Sequence, residues 1–122
     1  EPTRGGCGVV TLSPATIVVM PFPFSDLSAT RVRPAVVMAD TGRGDWLLCQ
    51  ITSNPYSDPN AIRITNSELL RGSLRSVSFV RPMKLFTANE SLVLKRIALL
   101  NDNTFNPILT ATITTLEGNL SQ

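Results

Sequence analysis

The chain has no histidine. That removes the commonest proton-transfer group at neutral pH, the commonest metal ligand and every nucleophilic triad built on imidazole. Cysteine is scarce. Cys7 and Cys49 are too few for a four-ligand zinc site and do not form a Cys-x-x-Cys pair. Their count leaves a disulfide open, but reduced thiols are the default reading for a cytosolic chain. The nine acidic residues are scattered, without the paired spacing of a metal site. Neither a Gly-x-x-x-x-Gly-Lys phosphate loop nor a Gly-x-Gly-x-x-Gly dinucleotide fingerprint occurs. No metal or cofactor is therefore expected. No apolar run reaches the ~18 residues of a membrane span, and no basic region plus apolar core marks a signal peptide. The expectation is a cytoplasmic protein without a membrane partner. A first residue of Glu1 in place of methionine is expected of a cut or engineered N-terminus.

What remains is an ordinary globular composition. The chain has 122 residues, 43% of them hydrophobic and 16% charged, which suits one domain with one compact core and argues against disorder. Eleven Lys and Arg against nine Asp and Glu leave a net charge of +2. This permits an anionic partner without requiring one. The domain is predicted over residues 15–118. A flexible, glycine-containing extension over 1–14 precedes it and a short tail over 119–122 follows.

The sequence centres on residues 17–40, IVVMPFPFSDLSATRVRPAVVMAD. Two β-branched apolar runs flank a polar loop that carries Asp26, Arg31 and Arg33, the pattern of two strands joined by a charged loop. Pro21 and Pro23 interrupt regular pairing at the end of the first strand. A third strand is predicted over 46–53. Its pleat puts Leu47, Cys49 and Ile51 on one face and Trp46, Leu48, Gln50 and Thr52 on the other. Short strands follow over 61–65 and 96–100. A longer one over 76–86 should set Val77, Phe79, Arg81, Met83 and Leu85 on a single face. Asn66 is positioned to cap a helical turn over 67–70, and Asn89 or Ser91 to start another. Residues 9–12 form a short strand or lie over the barrel. Asn101-Asp102-Asn103 caps a final helix over about 104–116 that ends at Gly118. Four threonines weaken this helix, so tertiary packing must hold it. The sum is a mainly β protein: a small, curled antiparallel barrel of about five to seven strands with a C-terminal α-helix.

If the polar strand ends converge, Arg33, Thr52 and Arg81 meet in one cleft, with Arg31 and Lys84 nearby. Two guanidiniums and a hydroxyl suit a phosphate, and guanidinium charge suits a phosphorane transition state. RNA carries its own 2′-hydroxyl nucleophile, so no metal is needed in principle. Each residue also has a plainer reading. An arginine before proline is commonly a solvated edge charge, a threonine at a strand end is a good strand former, and Asp26 is a turn residue. Trp46 reads as core or dimer contact before it reads as a base platform.

The segments IVVMPFPFSDL, VRPAVVMAD, LLCQITS and SLRSVSFVRPMKLF occur in this order. Together they closely resemble the MazF/PemK-like toxins of bacterial toxin–antitoxin systems, over residues 15–116. The resemblance implies an SH3-like barrel, a homodimer and a metal-independent endoribonuclease that cuts single-stranded RNA. It also implies an antitoxin whose disordered tail fills the RNA groove. By resemblance Arg33, in Arg33-Pro34-Ala35, and Thr52 are the catalytic pair. Arg81 matches the arginine of the later motif, and Arg31, Ser53 and Lys84 join it as RNA or phosphate contacts. Residues 25–30 would be a flap over the RNA, and Asp26 an acid–base candidate. Attack of the 2′-hydroxyl would leave a 2′,3′-cyclic phosphate.

Two departures qualify this. Ala15-Thr16 stand where many relatives have Gly-Asp, and Met83 stands where relatives often have an aspartate. Two other readings follow. One is a weakened or inactive homologue that binds RNA or antitoxin, suggested by Met83. The other is a protein-gripping toxin like the related gyrase poisons, disfavoured because the chain ends Asn119-Leu120-Ser121-Gln122 without a terminal aromatic.

Overall fold

The computed structural model describes residues 11–22, 31–55 and 57–121. Seven strands form one antiparallel sheet: β1 (Thr16–Phe22), β2 (Arg31–Gly42), β3 (Asp45–Thr52), β4 (Ile62–Ile64), β5 (Leu69–Gly72), β6 (Ser78–Asn89) and β7 (Lys95–Leu100). The spatial order is β4-β6-β3-β2-β1-β7-β5. The sheet curls into an SH3-like half-barrel, with helix α1 (Asp102–Glu117) at its C-terminal end. The Asp26 and 25–30 readings, and residues 9 and 10, lie outside the described residues.

The sheet is apolar on both faces because β1, β2 and β3 read as unbroken hydrophobic runs, not as alternating ones. One face gathers Ile17, Val36, Cys49, Ile51 and Val80 with Phe105 and Ile108 of α1. The other gathers Val18, Met20, Phe22, Val37, Trp46 and Leu48, with Leu12 over them. Phe22 and Phe86 meet edge to face at 4.7 Å, the geometry that ring quadrupoles favour. Trp46 is thus a core residue, its indole N–H donating to Glu90 Oε1 at 3.2 Å. Burial of each large side chain here stabilises the fold by about 1.5–3 kcal/mol. Residues 11–13 form no strand; Leu12 covers the second cluster instead.

Several local expectations are corrected. The residues following the turn at Asn66–Glu68 are strand, not helix: Leu69–Gly72 pairs with β7. The cap is Thr65, not Asn66. Its side chain and that of Glu68 form a reciprocal capping box, which satisfies the first free N–H groups of the turn. The Asn66 side chain instead accepts from Leu74 N at 2.7 Å. The second such turn, Glu90–Leu92, is capped by Asn89.

The single face proposed for the later strand does not exist. In the β3–β6 ladder Gln50 pairs with Arg81 but Cys49 pairs with Leu85. Three residues, Pro82, Met83 and Lys84, form a wide bulge. An odd insertion reverses the pleat, so Arg81 and Leu85 face opposite sides. Pro82 lacks the N–H a regular ladder needs, and its carbonyl accepts from Thr112 Oγ1 of α1 at 3.3 Å. Helix α1 begins at Asp102, earlier than expected, with Asn101 Oδ1 accepting from Thr104 N at 2.9 Å. Its weak propensity is offset by docking Phe105, Ile108 and Thr112, which are buried.

Candidate anion groove and the Arg81–Asp58 bridge

The β2–β3 ladder ends where Ala35 faces Gln50. Continuing that register sets Arg33 opposite Thr52. Both side chains line one groove of about 840 Å³. Arg33 is half-buried beyond the end of the β2–β3 ladder, where β2 is still paired with β1 and Met20 is its partner in register. Thr52 closes β3, and its hydroxyl is engaged in a local turn: it donates to Asn54 O at 3.1 Å and accepts from Asn54 N at 3.2 Å. Ser53, exposed, also lines the groove.

Arg75, Lys95 and Arg96 share the groove with Arg33, giving four cations. Ser73, Ser76 and Ser78 add hydroxyls to the wall. None of the described lining residues is a carboxylate. The acids Asp40, Asp45 and Glu90 sit instead at the β2–β3 turn and the capped turn beside it, where Asn89 Nδ2 donates to Asp45 Oδ1 at 3.0 Å. Four cations without a carboxylate among the described walls give a local positive field, which a concave wall focuses. Sequence reading missed Arg75, Lys95 and Arg96. Arg75 lies in a connection, and the two β7 cations reach the groove only because β7 pairs with β1.

Arg81 stands elsewhere. It does not line the groove. Its Nε donates to Asp58 Oδ2 at 2.7 Å and its Nη1 to Gln50 Oε1 at 3.2 Å. Asp58 also accepts from Asn60 N at 2.9 Å. The Arg81 hydrogen bond, reinforced by the Asn60 N–H, holds the Asp58 carboxyl below its usual range. Lys84 is exposed in the bulge and adds weaker attraction to the same carboxylate. Arg31 is exposed at the start of β2 and is not among the groove's walls.

Cys49 is a free, buried thiol, 3.7 Å from Met38 Sδ. Burial pushes its pKa up to about 12, so it stays protonated and a poor nucleophile. Among the described residues no group of three or more His, Cys, Asp or Glu could hold a metal ion. No helix among them is long and apolar enough to cross a membrane.

The fold recurs in known toxins. A mycobacterial endoribonuclease in complex with its cognate antitoxin superposes with a TM-score of 0.66 at 16% identity, over 92% of this chain and 100% of the other. A MazE–MazF structure from Deinococcus radiodurans gives 0.69 at 13% identity, over 87% and 96%. The Mycobacterium tuberculosis toxin MazF-mt6 gives 0.64 at 12% identity, over 84% and 96%. No curated protein matches the chain significantly by sequence. At these identities the structural likeness speaks for the fold alone. The sequence model of the PemK-like, MazF-like toxins of type II toxin–antitoxin systems matches residues 13–116, nearly the whole chain, and the protein belongs to that family.

Proposed function

We propose that the protein is the toxin of a type II toxin–antitoxin pair and a metal-independent endoribonuclease acting on single-stranded RNA. The observation that carries this reading is the groove shared by Arg33 and Thr52, with Arg75, Lys95 and Arg96 and no carboxylate among its described walls. A phosphodiester backbone matches that field. The RNA 2′-oxygen attacks the adjacent phosphorus and loses its proton. The bond from phosphorus to the 5′-oxygen breaks and that oxygen takes up a proton, leaving a 2′,3′-cyclic phosphate and a 5′-hydroxyl. Arg33 offsets the charge that grows on the equatorial oxygens, and the Thr52 hydroxyl orients one of them by turning its proton away from Asn54 O. Charge and orientation dominate over a paired acid and base. Specificity belongs to unpaired bases in the groove.

Two partners go with this reading. One is a cognate antitoxin, as carried by the mycobacterial endoribonuclease complex, with a disordered acidic tail complementary to the groove cations. The other is a second copy of the chain, as a homodimer. Arg81 and Lys84 are peripheral phosphate contacts, and the Asp58 bridge competes for Arg81. A second reading, a weakened homologue that binds RNA, is favoured by Met83 together with that bridge. Incubation with a mixed single-stranded RNA panel in excess EDTA separates the two. The nuclease reading expects cleavage that Arg33→Ala abolishes while the circular dichroism spectrum and melting temperature hold. Binding without cleavage on every RNA would select the weakened homologue.

A further inference from the structure

Strand β7 lies between β1 and β5, and Arg96 serves both of its flanks. Arg96 lines the groove that holds Arg33 and Thr52. It also lines a second depression of about 380 Å³, whose walls include Ser13, Thr16, Arg71 and Gly72. The two hollows are neighbours: Arg96 and Ile97 line both.

The register builds this second hollow. Leu99 is paired on one side with Thr16 and on the other with Arg71, while Arg96 pairs with Val18. Arg71 therefore stands beside a position three residues along β7 from Arg96, a backbone offset of about 10 Å. That is within the reach of neighbouring phosphates on one strand. Gly72 fixes the approach. Its φ is +82°, and a Cβ there would lie 2.1 Å from Ile97 O, so β5 sits tightly against β7 with Arg71 at its rim.

The donors are available. Among the described residues neither arginine is ion-paired. Arg96 spends one N–H on Thr11 O at 3.3 Å, and both arginines are exposed. Ser13 Oγ and Thr16 Oγ1 share a hydrogen bond at 3.1 Å, so the pair keeps one hydroxyl proton to offer. No described wall of the hollow is acidic. Two guanidiniums with free donors, beside two hydroxyls and without a carboxylate, form an oxyanion receptor.

We propose that Arg71 and Arg96, with Ser13 and Thr16, form a second phosphate subsite that holds a backbone phosphate of the RNA strand running on from the main groove. This rests on the RNA reading of that groove. The strand leaves Arg33 and Thr52, passes Lys95 and Arg96, and ends against Arg71. The footprint is therefore longer than the reacting dinucleotide, and Arg71 contributes affinity without touching the chemistry.

Binding of 2′-O-methyl oligonucleotides tests this, because they cannot react. Affinity is measured against salt for oligomers of about three and about ten nucleotides, with the wild-type protein, Arg71→Ala, Arg71→Lys and a remote control, Arg43→Ala. One lost phosphate contact on a single strand should lower the salt slope by about 0.7. The expected result is that fall, with a severalfold loss of affinity, for Arg71→Ala on the longer oligomer only. Arg71→Lys should retain most of the slope. Wild-type binding that Arg71→Ala leaves unchanged would remove the subsite and leave the groove reading intact. An equal loss on both oligomers, or the same loss in Arg43→Ala, would make the effect general electrostatics and would also overturn the subsite. Failure of the wild type to bind either oligomer would remove the groove reading and the subsite together.

Discussion

Arg81 Nε and Asp58 Oδ2 are joined at 2.7 Å, tying the β3–β4 connection to β6 beside the Pro82–Lys84 bulge. The bridge is mostly shielded, with the Asp58 side chain 9% exposed and that of Arg81 22%. Its carboxyl pKa is lowered on folding, first by the hydrogen bond from Arg81. A lowered folded pKa means that the folded state binds the proton less well than the unfolded chain. The contribution is therefore complete above the unfolded value of about 4 and is lost as pH falls through the folded value. Asp58→Asn should lower stability by about 1 kcal/mol at pH 7, and the gap to wild type should close on acidification below about pH 4. Urea midpoints across that range measure it. A gap that is constant with pH would remove the linkage.

Arg33 and Thr52 share the groove wall, but Thr52 differs in being tied to Asn54 through both its hydroxyl bonds. Thr52→Ser keeps the one hydroxyl proton, which is given to Asn54 O at rest and can be turned to a phosphate oxygen, whereas Thr52→Val loses it. Under the nuclease reading Thr52→Val should lower kcat by about tenfold to a hundredfold, in the range of a lost oxyanion donor, with a smaller change in KM. Thr52→Ser should stay near wild type. Single-turnover cleavage of a fluorescent RNA reads both. A valine variant that turns over normally would reduce Thr52 to a turn former.

The strands were legible because β-branched runs and turn residues bound them locally. Residues 16–21 and 32–40 read as strands from composition alone, and β1 and β2 cover them. A cleft shared by Arg33 and Thr52 was legible from their places at the polar ends of strands, although Arg81, expected with them, is not among its walls. Three features were not legible, each because it is tertiary. Leu69–Gly72 looked like the tail of a helical turn and becomes a strand only against β7. The Pro82–Lys84 bulge inverts a face that strict alternation would have kept. Arg75, Lys95 and Arg96 join the groove through the curl of the sheet. Local pattern specifies elements; convergence of charge depends on register that no window of sequence contains.

Cys49 is fully buried, with its pKa pushed up to about 12 by that burial. A protonated, inaccessible thiol reacts only when the chain opens. In a Cys7→Ser background, modification by a disulfide reagent should follow global unfolding and show the same urea dependence. Cys49→Ser should cost about 1–3 kcal/mol, because it sets a hydroxyl in the apolar first cluster. Rapid labelling of the folded protein would contradict the buried placement.

Gly72 and Gly42 provide a matched pair. Both have positive φ, +82° and +101°, where an L side chain is strained. Around Gly42 a Cβ would meet nothing within 4 Å, whereas at Gly72 it would lie 2.1 Å from Ile97 O and 2.6 Å from Ala98 Cα. Those atoms are backbone of β7 and cannot rotate away. Gly42→Ala should therefore cost only the conformational term, about 1 kcal/mol. Gly72→Ala should cost that and the displacement of β5 from β7, more than about 2 kcal/mol in all. Because β5 carries Arg71, the second substitution should also weaken binding to the longer oligonucleotide while the shorter one is bound as before. Equal costs at the two glycines would mean that β5 yields freely, and the close approach that positions Arg71 would then be without energetic weight.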